Sequence, residues 1–303
     1  MSAHPGGTTH RSTPSDVSTP RLNPYIGLVV ATIAVSTSAI LIRESAAPPL
    51  TLAAYRLAIT TAILLPLLRP ARLARLRALS RKGWGLVGLA GGLLALHFAF
   101  WTASLSYTSV ASSVLFVSVH PALVAAIGVP MLGERLSRQA VLGIALTLAG
   151  GAIIAGGDLH LSERALRGDG LAVLGAVVFA GYLLIGRGIR EQLDTVSYST
   201  PVYGLAALIL AALSFPARQS LLAVNGRDLV VFVLLALIPT VGGHLIYNWT
   251  LRQLPAAVVS VSFLGEPVGA ALLAWPILGE VPPVGTAAGG AVVLAGIWLT
   301  MRR

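Results

Sequence analysis

Charged residues are scarce in this chain: only 11% of its 303 residues are Asp, Glu, Lys or Arg, whereas 55% are hydrophobic. An average soluble protein has about 25% charged residues. A soluble domain of this size could not cover its surface with so few charges, so the excess apolar surface must face lipid or an unusually large core. The lengths of the apolar runs favour lipid.

Cysteine is absent altogether, which excludes a disulfide scaffold, a thiolate metal site and a cysteine nucleophile. Motifs of common enzyme classes are missing as well, because the chain contains no Walker A loop, no HExxH and no GxSxG. We therefore expect neither ATP-driven work by this chain nor enzyme activity. We also expect no cofactor and no metal ion.

Positive charge outweighs negative charge, with 21 Lys and Arg against 11 Asp and Glu. Such an excess can indicate nucleic acid binding. Here the charges lie in short gaps between apolar runs, which is typical of residues that orient a membrane protein. No nucleic acid partner is expected.

Ten apolar segments follow a tail of residues 1–24 that is rich in Ser, Thr, Pro and Gly. This tail is predicted to be disordered and to contain no cleaved signal peptide. The segments are too long for barrel strands and do not alternate, so an all-α polytopic membrane protein with ten transmembrane helices is predicted. The approximate spans are 25–42, 49–68, 84–104, 107–128, 137–156, 169–187, 196–216, 228–250, 255–278 and 282–301.

Lys and Arg residues in the gaps predict the orientation. With the N-terminus in the cytoplasm, the inner segments contain fifteen Lys and Arg residues and the outer segments five. Nearly every gap shares this bias, which supports an even number of helices. Both termini are therefore predicted to be cytoplasmic.

An internal repeat is present at a constant offset of 146 residues. Two motifs, VPMLGE (129–134) and WPILGE (275–280), carry it. The matching flanks are His120-Pro121 with Glu266-Pro267, and Gly143 and Gly150 with Gly289 and Gly296.

The repeat predicts two units, residues 25–156 and 169–303, joined by a linker loop at 157–168. Each unit contains five spans, and five is odd, so the second copy enters the membrane from the opposite side. Inverted repeats of this kind are typical of transporters that rock one half against the other around a midplane site. The alternative is a duplication that only produced a stable bundle.

Three segments resemble a known family. They are PPLTLAAYRLAITTAILLPLL (48–68), YTSVASSVLFVSVHPALVAAIGVPMLGERLSRQAVLGIALTLAGGAIIA (107–155) and LIPTVGGHLIYNWTLRQLPAAVVSVSFLGEPVGAALLAWPILGE (237–280). These are similar to the EamA-type members of the drug/metabolite transporter superfamily. The resemblance implies ten helices in two inverted repeats and a multi-pass protein of the bacterial inner membrane.

Within that family the chain looks most like the amino-acid exporters, including those for aromatic amino acids. Phosphate-handling members would be expected to carry several intramembrane Lys or Arg residues. Arg56 is the only such residue here, which disfavours phosphorylated substrates.

Polar and aromatic residues at span depth are the candidates for a substrate cavity, because lipid-facing polar groups are costly. The third span carries His97 and Trp101 one turn apart, followed by Ser104 and Thr108 on the same helical face. The eighth span repeats this spacing with Thr240, His244 and Tyr247. Aromatic rings and imidazoles suit an amino acid or a similar amphipathic metabolite. The alternative places the aromatics in an interfacial belt and the histidines on backbone carbonyls.

His120 and Glu266 each precede a proline well inside a span. Pro121 and Pro267 are predicted to break their helices and act as hinges. Broken helices expose carbonyls near the midplane, as is common at transporter sites. Glu266, together with His120, is a candidate for proton coupling or for binding a substrate amine. The competing interpretation is that both residues only hold the fold.

Several further residues have open roles. Ser38 and Tyr182 are weaker candidates for substrate binding. Arg56 either snorkels outward, pairs with Glu44 or a helix C-terminus, or binds a substrate carboxylate. The two motif glutamates, Glu134 and Glu280, are predicted to cap or hinge the helices that follow them.

The leading hypothesis is a secondary transporter that exports small metabolites, most readily amino acids, by alternating access around a central cavity. Other metabolites or drugs carried by the same fold are the first alternative. A membrane enzyme acting on a lipid-linked substrate and a membrane scaffold are alternatives from other classes. The expected partners are a small-molecule substrate and the lipid bilayer, with the chain a monomer or a homodimer.

Overall fold

The structure is a computed structural model that describes residues 23–108, 110–132, 136–156, 162–189, 192–278 and 284–301. All regular secondary structure in these ranges is helical, as the sequence predicts. Most of the predicted tail, the beginning of the predicted linker, and both Glu134 and Glu280 lie outside the described residues.

Helices of the first repeat cover its five predicted spans. They are α1 (Pro24–Ser36), α2 (Ser38–Arg43), α3 (Pro49–Leu64), a 3₁₀ turn (Leu65–Leu67), α4 (Pro70–Arg77), α5 (Arg81–Ser104), α6 (Val110–Val117), α7 (His120–Leu132) and α8 (Arg138–Gly156). Several of these helices begin at a proline, which is suited to a first turn because its missing N–H would be unpaired there.

Helices of the second repeat follow the same order. They are α9 (Glu163–Ile189), α10 (Thr195–Ser214), α11 (Gly226–Leu235), a π-helical segment (Ala236–Leu245), α12 (Ile246–Thr250), α13 (Ala256–Ser262), α14 (Gly265–Leu278) and α15 (Val284–Met301). The first of them, α9, begins at Glu163, earlier than the predicted start of the sixth span at residue 169.

Six helical stretches of the described chain are long and apolar enough to cross a membrane. They are Pro24–Arg43, Pro49–Leu67, Arg81–Ser104, Glu163–Ile189, Thr195–Ser214 and Gly226–Thr250. Shorter apolar helices occupy Arg138–Ile153, Ala256–Ala270 and Ala287–Met301. Each of the ten predicted spans therefore coincides with helix, and six of them meet the length and composition of a membrane-crossing helix.

Both predicted helix breaks are present and lie at equivalent positions of the two repeats. One break separates α6 from α7 just before Pro121, and the other separates α13 from α14 just before Pro267. The carbonyl groups released there find new partners. His120 Nδ1 bonds the Val117 carbonyl at 2.9 Å, and the hydroxyl of Thr32 donates to the Ser262 carbonyl at 3.1 Å.

Packing between the repeats follows a two-fold pattern. Helix α8 packs on its equivalent α15, and α3 packs on its equivalent α10. Helix α5 packs on α9, while the equivalent of that pair, the π-helical segment and α1, is also in contact. An exchange of the two repeats leaves this set of contacts unchanged, as a two-fold axis between them requires.

Side-chain contacts join the two repeats at both ends of the bundle. At one end, Arg72 on α4 pairs with Asp194 before α10, with 3.2 Å between Nε and Oδ1. At the other end of α3, the Ser45 hydroxyl donates to Asp228 at 2.7 Å, and Arg227 pairs with Glu44. Each end of the bundle is therefore tied by a contact between the repeats.

Candidate substrate cavity

A cavity lies where the two helix breaks meet α1, α2, α5, α9 and the π-helical segment. Its volume is about 30 Å³, room for one or two water molecules. A larger solute therefore fits only when the surrounding helices move apart. Both repeats contribute to its wall, which is formed by Val35, Ser38, His97, Trp101, Val117, Ser118, His120, Phe179, His244, Phe263 and Glu266.

Helix α5 places His97 and Trp101 in this wall. Nδ1 of His97 lies 3.1 Å from the Gly175 carbonyl on α9, so the ring is held by backbone as well as facing the cavity. The rings of His97 and Trp101 are parallel, with centroids 6.2 Å apart. The buried indole N–H of Trp101 has no hydrogen-bond partner among the described residues, so a bound ligand could accept from it.

Phenylalanines that sequence reasoning did not select form the centre of the wall. Phe179 stacks on His97 with 4.3 Å between ring centroids and meets the ring of His120 edge-on at 5.0 Å. Phe263 lies 5.6 Å from both His120 and His244. The available signal was spacing: Phe179 precedes Tyr182, and Phe263 precedes Glu266, by one helical turn.

The helix breaks bring His120 and Glu266 to the same cavity, one from each repeat. The buried Nε2 of His120 has no partner among the described residues. Glu266 receives no hydrogen bond from the residues that the structure describes, and it makes no ion pair with them. Both side chains therefore keep polar atoms available to a ligand or to a proton.

The position and contacts of Arg56 exclude two of the roles predicted for it. Its side chain is only 1% exposed, so it does not snorkel outward, and Glu44 pairs with Arg227 instead. Nε of Arg56 donates to the Thr240 hydroxyl at 2.6 Å, and Nη1 donates to Ser38 at 3.3 Å. The residue is held inside the bundle, directly behind Ser38, because hydroxyls from α2 and the π-helical segment both reach it.

Two predicted tyrosines lie in the core around the cavity and are not among its lining residues. Tyr182 is hydrogen-bonded to the side-chain amide of Asn248, with 3.0 Å to its Oδ1. The hydroxyl of Tyr247 lies 2.7 Å from that of Thr32, and its ring stacks on Phe263 at 3.8 Å. A role for either tyrosine in substrate binding stays a prediction.

Only part of the helical face predicted on α5 lines the cavity. His97 and Trp101 line the cavity, while Ser104 bonds Ser113 at 2.6 Å and Thr108 bonds Asp169 at 2.8 Å. These last two contacts hold the short connection between α5 and α6.

No group of three or more His, Cys, Asp or Glu residues suited to a metal ion occurs in the described ranges.

An all-helical protein of two related halves, with broken helices around a polar and aromatic cavity, has the architecture of a membrane transporter. A family model described as the EamA-like transporter family matches the chain twice, over residues 22–156 and 166–302. The chain belongs to this family.

Curated relatives of the chain are named as transporters, not enzymes. An "Uncharacterized transporter" of Archaeoglobus fulgidus is 23% identical over 68% of this chain and 72% of its own length. "Uncharacterized transporter YyaM" of Bacillus subtilis is 26% identical over 82% of this chain and 83% of its own. A "Probable terminal-alkyne amino-acid exporter" of Streptantibioticus cattleyicolor is 27% identical over 62% of this chain and 63% of its own.

A solved crystal structure shares the fold. It superposes with a TM-score of 0.77 over 92% of this chain and 96% of its own, at 20% sequence identity. At that identity the likeness shows the fold and nothing about the substrate.

Proposed function

We propose that this transporter is a secondary exporter of the bacterial inner membrane, with cytoplasmic termini, and that its substrates are amino acids. Substrate would bind in the central cavity, and the two repeats would rock to open it to each side in turn. The units at 25–156 and 169–303 would be the moving halves, and Pro121 and Pro267 would be their hinges.

The observation that carries this proposal is the composition of the cavity wall. Phe179, Phe263 and Trp101 offer apolar ring faces, and His97, His244 and Ser38 offer polar edges. This combination suits a solute with an apolar side chain and a small polar end. The relative named as an amino-acid exporter supports the same substrate class.

Glu266 and His120 are proposed to take up a coupling proton, or Glu266 to bind the substrate amine, with a purely structural role as the alternative. The proposal is motivated by their place at the two helix breaks, where both face the cavity. Proton movement measured alongside transport tests the coupling role. A Glu266→Gln variant that still transports amino acids with unchanged proton movement would end the coupling role.

Reconstitution into liposomes tests the function. The purified protein is expected to accelerate the exit of one or more radiolabelled amino acids from preloaded vesicles, relative to protein-free vesicles. If no member of a broad amino-acid panel moves, the substrate class is wrong. If a panel of other metabolites and drugs also fails to move, the cavity assignment is wrong as well.

A pair of variants connects transport to the cavity. Phe179 is 2% exposed and stacks on His97, whereas Phe215 is 74% exposed. Phe179→Ala is expected to reduce transport at least about 10-fold because it removes the central ring of the wall, whose truncation costs about 3–5 kcal/mol of packing. The matched control, Phe215→Ala, is expected to transport like wild type.

Folding of both variants is checked by gel filtration, since loss of Phe179 also weakens the core. The decisive readout is therefore the pattern among substrates in folded protein. If folded Phe179→Ala transports both aromatic and small amino acids as fast as wild type does, the Phe179 ring is not part of the substrate site.

A further inference from the structure

Arg56 carries a charge inside the bundle that is only partly satisfied. Two of its three guanidinium nitrogens donate to neutral hydroxyls, those of Thr240 and Ser38. The third, Nη2, is buried and has no partner in the described chain. Buried polar groups are nearly always hydrogen-bonded, so an idle N–H on a fixed guanidinium is a position where an acceptor is missing.

The orientation of this guanidinium is fixed on its remaining sides. Its central carbon lies 4.8 Å from the centroid of the Phe98 ring, stacked over the face. The bonds to Thr240 and Ser38 come from two different elements, the π-helical segment and α2. Because these contacts hold the planar fork in place, little side-chain entropy is lost when an acceptor binds.

Glu266 carries the opposite charge and is likewise unpaired. No ion pair joins it to Arg56 or to any other residue that the structure describes. Glu266 lines the cavity itself, and Ser38, which receives the Arg56 bond, lines it too. A carboxylate therefore lies in the cavity wall and a cation lies one side chain behind that wall, bonded to Ser38, with no ion pair between them.

A zwitterionic ligand would pair with both the Arg56 guanidinium and the Glu266 carboxylate. We propose that Arg56 binds the carboxylate and Glu266 the ammonium group of an α-amino acid, so that the transporter selects solutes carrying both charges. The aromatic wall of Phe179 and Phe263 would then receive the side chain. An amine alone would leave the Arg56 Nη2 donor unpaired, and an acid alone would leave Glu266 unpaired; each is a costly outcome in a buried site.

This inference rests on the proposed amino-acid export and is tested with substrate analogues. The probes are L-phenylalanine, the amine phenethylamine, which has no carboxyl group, and the acid hydrocinnamate, which has no amino group. L-leucine is tested in the same way with isoamylamine and isocaproate. Binding is measured as ligand-induced thermal stabilisation, and transport is measured in liposomes. Wild type is expected to bind either free amino acid about 10- to 100-fold more tightly than its two analogues, the range set by one unsatisfied buried group.

Arg56→Gln is expected to weaken binding of the free amino acid about 10- to 100-fold and to leave binding of the amine unchanged. Arg56→Lys keeps the charge but loses the fork, so its affinity should be intermediate. Arg77→Gln, which changes an exposed arginine on α4, is the matched control. A structural role alone would instead lower affinity for all probes together.

The outcomes separate the two proposals. If wild type transports phenylalanine or leucine but does not discriminate against the analogues, the zwitterion site is wrong and amino-acid export stands. If Arg56→Gln lowers affinity for the amino acid and the amine equally, the zwitterion site is also wrong. If wild type moves neither amino acid nor any other of the panel, the proposed function fails and this inference fails with it. The wild-type analogue series decides even if the Arg56 variants do not fold.

Discussion

Asp194 combines two tasks in one carboxylate. It caps the first turn of α10 by accepting from the backbone N–H groups of Val196 and Ser197, at 3.1 and 3.2 Å, and it pairs with Arg72 across the repeats. Burial alone would raise the pKa of this carboxyl. The hydrogen bonds from Ser197 and the charge of Arg72 outweigh burial and hold the pKa below its usual value.

Because the pKa is lowered in the folded state, the carboxylate stabilises the fold above its unfolded pKa of about 4. The contribution is lost as the pH falls through the lower folded pKa. Asp194→Asn keeps a capping side chain but loses the charge, so we expect a loss of up to about 1 kcal/mol at pH 7. Asp194→Ala also loses the cap, which costs about 1 kcal/mol more.

The measurement is the melting temperature in detergent from pH 7 down to pH 3. The gap between wild type and Asp194→Asn should narrow as the pH falls below about 4, where the unfolded chain takes up the proton, and should close as the pH falls through the lower folded pKa. An unchanged gap over that range would show that the charge of Asp194 does not contribute.

Some residues of the cavity wall can be predicted from the sequence and others cannot. His97, Trp101, His244 and Glu266 could be selected because a polar or amphipathic group stands out within an apolar span. Phe179 has no such contrast, since a phenylalanine in a lipid-crossing helix usually faces lipid or core. Only its contacts with His97 and His120 show that it belongs to the cavity wall.

Small residues set the closest contact between helices. A Cβ atom added at Gly143 on α8 would lie 2.6 Å from the Gly296 carbonyl oxygen on α15. The repeat-equivalent contact is between Gly150 and Gly289, where the corresponding distance would be 2.7 Å. The two backbones approach this closely because both positions lack a side chain, so the glycines conserved between the repeats hold α8 against α15.

Gly143→Ala is therefore expected to destabilise the protein by about 1–3 kcal/mol through overpacking. Gly88→Ala is the matched control on α5, because a Cβ there meets nothing within 4 Å. Alanine favours helix over glycine by about 1 kcal/mol, so this control should be neutral or stabilising. Thermal unfolding of both variants checks the difference, and equal melting temperatures would contradict the close contact.

The sequence predicts the two helix breaks but not the π-helical segment. The breaks before Pro121 and Pro267 follow from local chemistry, because proline removes a backbone donor and restricts its predecessor. The π-helical segment Ala236–Leu245 was not predicted, although Pro239 lies inside it and removes a backbone donor there. The Thr240 hydroxyl bonds the Leu235 carbonyl at 2.7 Å and accepts from Arg56, so a tertiary partner contributes to this segment.

The two ends of the molecule are related in the same way as its helices. Arg72 and Asp194 join the repeats at one end of α3, and Ser45 and Asp228 join them at the other. In an inverted repeat these equivalent connections lie on opposite sides of the membrane. Alternating access would require each set to open in turn while the other stays closed.

Single cysteines can test this arrangement because the natural chain has none. Ala78 and Ala217 are exposed residues in the equivalent connections after α4 and after α10. A membrane-impermeant thiol reagent is expected to label Ala217→Cys in intact cells and Ala78→Cys only after the membrane is permeabilised. Labelling of both from the same side would contradict the inverted topology.

The sequence by itself determined the class of protein, the helical fold and its two repeats. These depend on composition, run length and a constant offset, which are properties of the chain that need no partner. Only the tertiary structure decided which side chains share the cavity: Phe179 enters its wall, Tyr247 lies in the core, and Arg56 remains buried behind Ser38. The reason is that burial and hydrogen-bond partners arise between helices distant in sequence, and no local pattern records which face of a helix meets another.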